Sequence, residues 1–292
     1  MSDLSNAIVV GIDGSGPALS AVTWAAKVAA ARGLSLHLVS STEPYFRAFY
    51  GASMPVPPEA FSEIDELART RLREANGRAT AAAPTLTATT EYVQEQPISL
   101  LLRLSQSARL LALGASGRGG FSGMLLGSTA ASATAHAACP VAVVRAPSAP
   151  DGPVVAGVDG SETSVDALSA AFVEASWRRV KLVAVHASRD AELSIREVGL
   201  GRPAPDPQEP ERVLAESLAG MQEKHPDVQV ERTTINNHPR DALLDWSTRA
   251  QLVVVGSRGR GGFLGMLLGS TSQALLQHAE SPVLIVHPGQ DR

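Results

Sequence analysis

Short runs of apolar residues alternate along the chain with longer stretches in which apolar residues recur every three or four positions. AIVVGI at 7–12 and RLLALG at 109–114 have the length of strands that are buried on both faces. ALSAVTWAAKVAAARG at 18–33 has helical spacing and ends in Arg32 and Gly33, a typical helix stop. This alternation predicts an α/β fold in which a parallel, Rossmann-like sheet carries helices on both faces.

The same pattern occurs twice. IVVGIDGS at 8–15 returns as VVAGVDGS at 154–161, with five of eight positions identical at an offset of 146. GASGRGGFSGMLLGST at 114–129 returns as GSRGRGGFLGMLLGST at 256–271, with 13 of 16 identical, but at an offset of 142. Four residues are therefore missing from the second copy. The loss falls between 41 and 97, where both copies are Pro-rich and unlike each other, as in a variable surface loop.

The length of 292 residues suits two domains of about 150 residues each. We predict domains at 1–147 and 148–292, joined by APSAPDGP at 146–153, whose three prolines stiffen the connection. Each domain is expected to hold five parallel strands in the order 3-2-1-4-5. In that order the first and fourth strands are neighbours. In the second domain the pattern predicts helices at about 162–178 and about 210–224, and a buried strand LVVVG at 252–256.

Composition excludes several classes of protein. The 25 Lys and Arg against 29 Asp and Glu give a net charge of −4, which argues against a nucleic-acid partner. Cys139 stands alone in an apolar run, which predicts a buried, unreactive thiol. The sequence shows neither a basic start followed by an apolar leader nor a stretch near 18 apolar residues. We therefore expect a cytoplasmic protein without a membrane partner.

The two repeated motifs follow the strands at which an open parallel sheet binds ligands. Such ligands lie beyond the carboxyl ends of strands, where the strand order switches. GIDGS follows the first strand and LGASG the fourth, so Asp13 and the Gly-rich loop should face one crevice. The loop leads into a helix whose free N–H groups can hold an anion, and Arg118, or Arg258 and Arg260 in the second copy, adds positive charge. This suits a phosphate chain, although the loop matches neither a Walker A nor a G-x-G-x-x-G motif.

Each feature also has an interpretation without a ligand. The Gly-rich loop can be a mobile connection with Ser128 as helix N-cap. Asp13 and Asp159 can form Asp-Gly turns or caps instead of facing ribose hydroxyls or a phosphate-bound Mg²⁺. His136 and His278, near helix ends, are expected to act as cations at helix C-termini. The tryptophans within amphipathic helices are expected to pack in the core: Trp24, Trp177 and Trp246.

The combined motifs carry a family resemblance. From Gly114 the chain reads G-x-x-G, nine residues, then G-S, and the same spacing starts at Gly256. Together with GIDGS and GVDGS, this resembles the nucleotide-binding signature of the universal stress protein family, in a tandem-domain form covering nearly the whole chain. The resemblance implies a fold like an adenine-nucleotide hydrolase core that binds ATP, with Mg²⁺ able to accompany it, in each half. It places the nucleotide against Gly11, Asp13, Ser41, Gly114, Ala115, Ser116, Gly117, Arg118, Gly119, Gly127, Ser128 and Thr129, and in the second copy against Gly157, Asp159, Ala187, Gly256, Ser257, Arg258, Gly259, Arg260, Gly261, Gly269, Ser270 and Thr271.

The resemblance further implies a homodimer, an unnamed protein partner and a nucleotide-dependent role in stress response or growth control. Two departures stand out: QEQP at 94–97 replaces a turn that often carries Gly before Pro, and Ala115 replaces a common Ser. Neither Gly-rich motif contains His, Glu or Lys, so we expect no catalytic residue and at most weak ATPase activity. The alternatives are a slow ATP hydrolase or nucleotidyl transferase, and an interaction scaffold with empty pockets.

Overall fold

The computed structural model describes residues 4–43, 58–117, 126–145, 149–188, 206–260 and 267–289. The chain divides into two compact units, Met1–Pro147 and Ser148–Arg292. Within the ranges given, none of the helices has the length and apolar character needed to cross a membrane.

The first unit alternates strands and helices along the chain. Its strands are all parallel and lie in the order β3-β2-β1-β4-β5. Ile8 at the centre of the sheet is fully buried and faces Leu36 on one side and Leu110 on the other. The elements are β1 (Ala7–Gly11), α1 (Gly16–Arg32), β2 (Ser35–Ser41), α2 (Pro58–Ala82), β3 (Ala88–Val93), α3 (Pro97–Ser105), β4 (Leu110–Gly114), α4 (Ser128–His136) and β5 (Val141–Val144).

The second unit repeats this arrangement. Its parallel strands lie in the order β8-β7-β6-β9-β10. Because β6 to β10 are the first to fifth strands of this unit, the order is again 3-2-1-4-5. The predicted α/β fold with a parallel sheet is therefore confirmed in both units. The elements are β6 (Val154–Gly157), α5 (Glu162–Arg178), β7 (Leu182–Ser188), α6 (Glu209–Leu218), α7 (Met221–Lys224), β8 (Val230–Asn236), α8 (Pro239–Ser247), β9 (Leu252–Gly256), α9 (Ser270–His278) and β10 (Val283–Val286).

The first helix of each unit starts at a serine cap. The hydroxyl oxygen of Ser15 accepts from the N–H of Ala18 at 3.2 Å, and α1 ends at Gly33 in the left-handed conformation. Ser161 caps α5 in the same way, accepting from Ser164 N–H at 3.2 Å. In each unit this cap sets the point at which the backbone leaves the first strand and enters the first helix.

A buried hydroxyl ties the turn before the last strand to the helix that precedes the fourth strand in both units. Oγ of Ser105, at the end of α3, accepts from Ala138 N–H at 2.9 Å and donates to the Leu102 carbonyl at 2.7 Å. Ser247, at the end of α8, accepts from Glu280 N–H at 3.0 Å and likewise donates within its own helix. Both serines are 2% exposed. This brace is a structural feature that the repeat pattern alone did not indicate.

Two predictions about individual elements are wrong. The helix predicted at about 210–224 is split into α6 and α7, because Gly220 adopts a φ of +73° that a continuing helix does not allow. The tryptophans are half-buried instead of lying in the core. Arginine side chains cover two of them: the guanidinium of Arg178 lies 3.9 Å from the Trp177 ring centroid, and that of Arg249 lies 4.1 Å from Trp246.

The structure agrees with the predicted positions of two histidines near helix ends and with the predicted burial of Cys139. His136 and His278 lie in the last turns of α4 and α9, and Nδ1 of His136 hydrogen-bonds the Ser132 carbonyl at 3.0 Å. Cys139 is buried, and this burial raises the pKa of its thiol to about 12. The thiol therefore stays protonated at neutral pH, as expected of an unreactive core cysteine.

Candidate functional site

The Gly-rich loop of each unit is closed at its base by a backbone hydrogen bond. The carbonyl of Ala115 accepts from the N–H of Gly127 at 2.7 Å, and Ser257 accepts from Gly269 at 2.8 Å. The N–H of Ala115 donates in turn to Val144 at the end of β5, at 3.1 Å. Ala115 and Ser257 are only 2% and 1% exposed. These two predicted site residues therefore hold the loop through their backbone and do not present side chains to a ligand.

The aspartate after the first strand binds its own turn. Oδ1 of Asp13 accepts from Ser15 N–H at 2.9 Å, and Oδ1 of Asp159 accepts from the N–H of Ser161 at 3.0 Å and from its hydroxyl at 2.6 Å. In the second unit the carboxylate also reaches the Gly-rich loop, because Oδ2 of Asp159 accepts from Arg260 N–H at 2.8 Å. The two motifs that the topology places together are thus joined by a carboxylate.

Hydrogen bonding keeps Asp159 ionised. Its partial burial acts to raise the pKa of the carboxyl group. Hydrogen bonds from the hydroxyl and N–H of Ser161, and from the N–H of Arg260, act in the opposite direction and prevail, so the pKa lies below the usual 3.8. The site therefore holds a negative charge at neutral pH, directly beside the amide groups of the loop.

Gly117 and Gly259 allow this close approach. The position that a Cβ atom would take at Gly117 lies 2.5 Å from Oδ2 of Asp13, and the corresponding distance at Gly259 is 2.3 Å from Asp159. A side chain at either glycine would force the carboxylate and the loop apart. The sequence predicted both glycines for close backbone approach to a ligand, and here the group they approach is the protein's own aspartate.

Packing explains the other glycines at the strand ends. A Cβ atom at Gly114 would lie 2.5 Å from the backbone carbon of Pro17, so this glycine lets α1 start close to the end of β4. A Cβ atom at Gly11 would lie 3.0 Å from the side chain of Leu113, which indicates core contact. The equivalent contacts in the second unit are Gly256 with Thr163 at 2.8 Å and Gly157 with Val255 at 3.0 Å.

The helix after the Gly-rich loop begins at Ser128, with Gly127 as its N-cap in an extended conformation. The interpretation of Ser128 as N-cap is therefore wrong, because Gly127 already occupies the cap position and has no side chain to pair with the first turn. Gly269 caps α9 in the same way. A Cβ atom at Gly127 would lie 3.5 Å from the amide nitrogen of Gly117, so this helix N-terminus adjoins the loop and the aspartate. First-turn N–H groups and the helix dipole can bind an anion at this point.

The strand-two residues are fixed by other contacts. The hydroxyl of Ser41 donates to the Glu95 carbonyl at 2.5 Å, which directs it toward the segment after β3. Ala187 follows His186, a buried residue whose Nδ1–H donates to the Val158 carbonyl at 2.8 Å. Neither hydrogen bond tests the nucleotide contacts expected of Ser41 and Ala187, which stay predictions.

The remaining predicted residues lie around the loop. Cα of Ser116 and Cα of Arg258 lie 3.5 Å and 3.6 Å from the positions of a Cβ atom at Gly127 and Gly269. Ser128 and Ser270 are exposed at the helix starts, and the threonines that follow them, Thr129 and Thr271, are half-buried. Three predicted residues lie outside the described ranges: Arg118, Gly119 and Gly261.

Sequence reasoning missed one residue beside this site. Arg71 on α2 is 5% exposed, and its Nε lies 2.7 Å from the position of a Cβ atom at Gly14, the glycine that follows Asp13. The helical spacing of the sequence could have indicated this residue. Arg71 stands three positions after Ala68 and four before Ala75, so it lies on the same, buried face of its helix as these two alanines.

Comparison with known proteins agrees with the repeat. The model of the universal stress protein family matches residues 5–145 and again 152–287. Universal stress protein Rv2005c of Mycobacterium tuberculosis is 40% identical over 289 residues, which cover 95% of this chain and 96% of that protein. Rv2623 of the same organism is 38% identical over 286 residues, 95% of each chain. A solved universal stress protein from Archaeoglobus fulgidus shares the fold, with a TM-score of 0.71 at 21% identity over 98% of this chain and 99% of its own. The chain therefore belongs to the universal stress protein family and carries the family's domain twice.

Proposed function

We propose that this protein binds an adenine nucleotide, ATP, in each of its two units and acts as a nucleotide-dependent regulator of stress response or growth. One observation carries the proposal: in each unit the aspartate turn, the first residues of the Gly-rich loop and a helix N-terminus capped only by glycine converge. This arrangement presents backbone N–H groups without bulky side chains, as phosphate groups require.

The contrast between helix starts supports a phosphate site. Ser15 and Ser161 cap the first helices of the two units with their hydroxyls, whereas α4 and α9 have Gly127 and Gly269 as N-cap residues and no side-chain cap. The hydroxyls of Ser128 and Ser270 stand exposed beside these starts. Phosphate oxygens would thus find N–H and O–H donors together at these two helix starts, which lie beside the Gly-rich loops.

The aspartate suits a nucleotide that carries Mg²⁺. Mg²⁺ in proteins is commonly held by one or two carboxylates together with the phosphates of the ligand. The carboxylate of Asp159 is ionised and half-buried, and its three hydrogen bonds leave lone-pair capacity on its oxygens. Asp159, and Asp13 in the first unit, would hold the ion, which would neutralise part of the phosphate charge.

We infer regulation in preference to rapid catalysis. ATP hydrolysis needs a base or another group that positions the attacking water, and the two Gly-rich motifs contain no His, Glu or Lys. Occupancy can act by shifting the protein between conformations that a partner distinguishes. Turnover above about 1 per second, within the range of ordinary enzymes, would contradict this part of the proposal.

The decisive experiment identifies what the protein carries. Protein purified without added nucleotide is denatured, and the released small molecules are separated by chromatography and weighed by mass spectrometry. In parallel, nucleotide-free protein is titrated with ATP by calorimetry. We expect released adenine nucleotide and a stoichiometry approaching two per chain. If nothing is released and ATP does not bind, the proposal fails and a scaffold with empty pockets is the better interpretation.

The same proposal includes a homodimer, which the family resemblance implies, and a location in the cytoplasm. Light scattering on the purified chain measures the mass of the assembly directly. A monomer at all tested concentrations would remove the dimer from the proposal while leaving nucleotide binding intact.

A further inference from the structure

The two candidate sites differ at one position behind the aspartate turn. Gly14 and Gly160 follow the two aspartates and share a φ of +78°. In each unit the helix after strand two packs against this glycine, through Arg71 on α2 and through Val213 on α6. These two residues are equivalent at the repeat offset of 142. The two units therefore share the same arrangement at this point and differ by one substitution, Arg71 in the first unit and Val213 in the second.

The first unit places a buried cation at this position. Arg71 is 5% exposed, and Nε, Cδ and Cγ of its side chain lie 2.7–3.1 Å from the position of a Cβ atom at Gly14. Arg71 therefore packs along the turn that contains both Asp13 and Ser15, the N-cap of α1. A charge held this far from solvent is weakly screened by water and salt, so it acts on an anion at the site more strongly than an exposed arginine would.

The second unit places a methyl group and a surface arginine there. Cγ1 of Val213 lies 3.1 Å from the position of a Cβ atom at Gly160, and Nη2 of Arg260 lies 2.6 Å from it. The Arg260 side chain is 53% exposed, and its Nη1 lies 4.0 Å from the carboxylate of Glu209. Solvent and this carboxylate both weaken the field of Arg260 at the turn. The residue equivalent to Glu209 in the first unit is Leu67.

We propose that Arg71 is a specificity-determining residue that makes the first site discriminate more strongly than the second in favour of nucleotides with more phosphate charge. The proposal rests on the nucleotide-binding function proposed above. AMP, ADP and ATP share base and sugar and differ in phosphate charge. A fixed buried cation therefore favours ATP over AMP, and the second site, without that cation, discriminates less between them.

The test measures phosphate preference at one site at a time. In a Gly259→Ala background, in which the second site is impaired, calorimetric affinities for AMP, ADP and ATP are compared with and without Arg71→Val, the residue of the second unit. We expect the substitution to reduce the preference for ATP over AMP by about tenfold. Arg71→Lys keeps the charge and should keep most of the preference. Equal weakening of all three nucleotides would assign Arg71 to packing, and unchanged affinities would also overturn the proposal.

The reciprocal substitution covers the case in which Arg71→Val does not fold, which thermal unfolding followed by circular dichroism would reveal. Val213→Arg in a Gly117→Ala background brings the first unit's residue to the second site. We expect the ATP preference of the second site to rise, and an unchanged preference would overturn the proposal. If the unsubstituted chain binds none of the three nucleotides, the proposed function itself has failed. If it binds them and neither substitution changes the preference, only the role of Arg71 has failed.

Discussion

Replacing Gly259 with alanine adds a single methyl group at the point where the two repeated motifs meet. Its backbone is not in the left-handed region, so the substitution introduces no conformational strain there. The new Cβ atom would lie 2.3 Å from Oδ2 of Asp159, about 1 Å closer than carbon and oxygen normally approach. The loop or the carboxylate must therefore move, and the 2.8 Å hydrogen bond from Arg260 N–H to that oxygen breaks.

The expected loss follows from that bond. A hydrogen bond to a charged group contributes about 1.5–3 kcal/mol, so binding that needs the ordered loop should weaken about 10- to 100-fold at the second site. The first site keeps its own loop and should bind as before. Calorimetric titration with ATP then shows one site with native affinity and one weakened site. Gly117→Ala should give the mirror result, since its Cβ atom would lie 2.5 Å from Asp13.

A glycine in open space provides the control. Gly77 lies within α2, and a Cβ atom there would meet no other atom within 4 Å. Gly77→Ala should raise the free energy of unfolding by about 0.5–1 kcal/mol through helix propensity and leave ATP affinity unchanged. Native affinity at both sites of the Gly259→Ala variant would refute the assignment of the loop and aspartate to the binding site.

Three further predictions concern stability and reactivity. The pKa of Asp159 in the folded protein lies below 3.8. Its contribution to stability is therefore complete at pH values above its pKa in the unfolded protein, and it is lost as the pH falls through its pKa in the folded protein. Asp159→Asn should thus lower the free energy of unfolding by about 1–3 kcal/mol at pH 7. Denaturant titrations should show that this deficit shrinks below about pH 4, and a deficit that grows on acidification would contradict the prediction. Ser247→Ala removes the acceptor for Glu280 N–H and should destabilise by about 1–3 kcal/mol in the same assay, whereas Ser107→Ala, at an exposed position, should change stability by less than about 0.5 kcal/mol. The Cys139 thiol, with its pKa raised to about 12 by burial, should react with a disulfide reagent at pH 8 more than about a hundredfold more slowly in native than in urea-unfolded protein, and equal rates would show that it is accessible.

The fold was predictable where the local pattern and the tertiary environment agree. The helix at 162–178 and the strand at 252–256 have the predicted bounds, because a serine cap marks the helix start and a fully apolar run marks a strand buried on both faces. The break at Gly220 was not predictable, since an apolar helical pattern continues across it and only the φ of one glycine interrupts it. Trp177 was misjudged because its pattern fits a core residue while Arg178, its neighbour, covers the ring.

The candidate site was likewise predictable from the sequence only in part. The meeting of Asp159 with the Gly-rich loop follows from strand order and from the near-identity of the repeated motifs, both of which the sequence contains. The cap at Gly127 was missed because serine is the stronger N-cap by preference, and the difference is one residue of register. Arg71 was missed because its contact with Gly14 depends on how α2 docks on the sheet, which periodicity does not specify.

The bond that closes each Gly-rich loop has a consequence for how such proteins diversify. Because Ala115 and Gly127, or Ser257 and Gly269, fix the two ends of the loop against each other, the segment between them is anchored independently of its own composition. We therefore expect that this segment can be exchanged without disturbing the strands that flank it. The two repeats of this chain offer the direct trial: grafting 116–126 in place of 258–268 should yield a folded protein in which the strands of the second unit are retained.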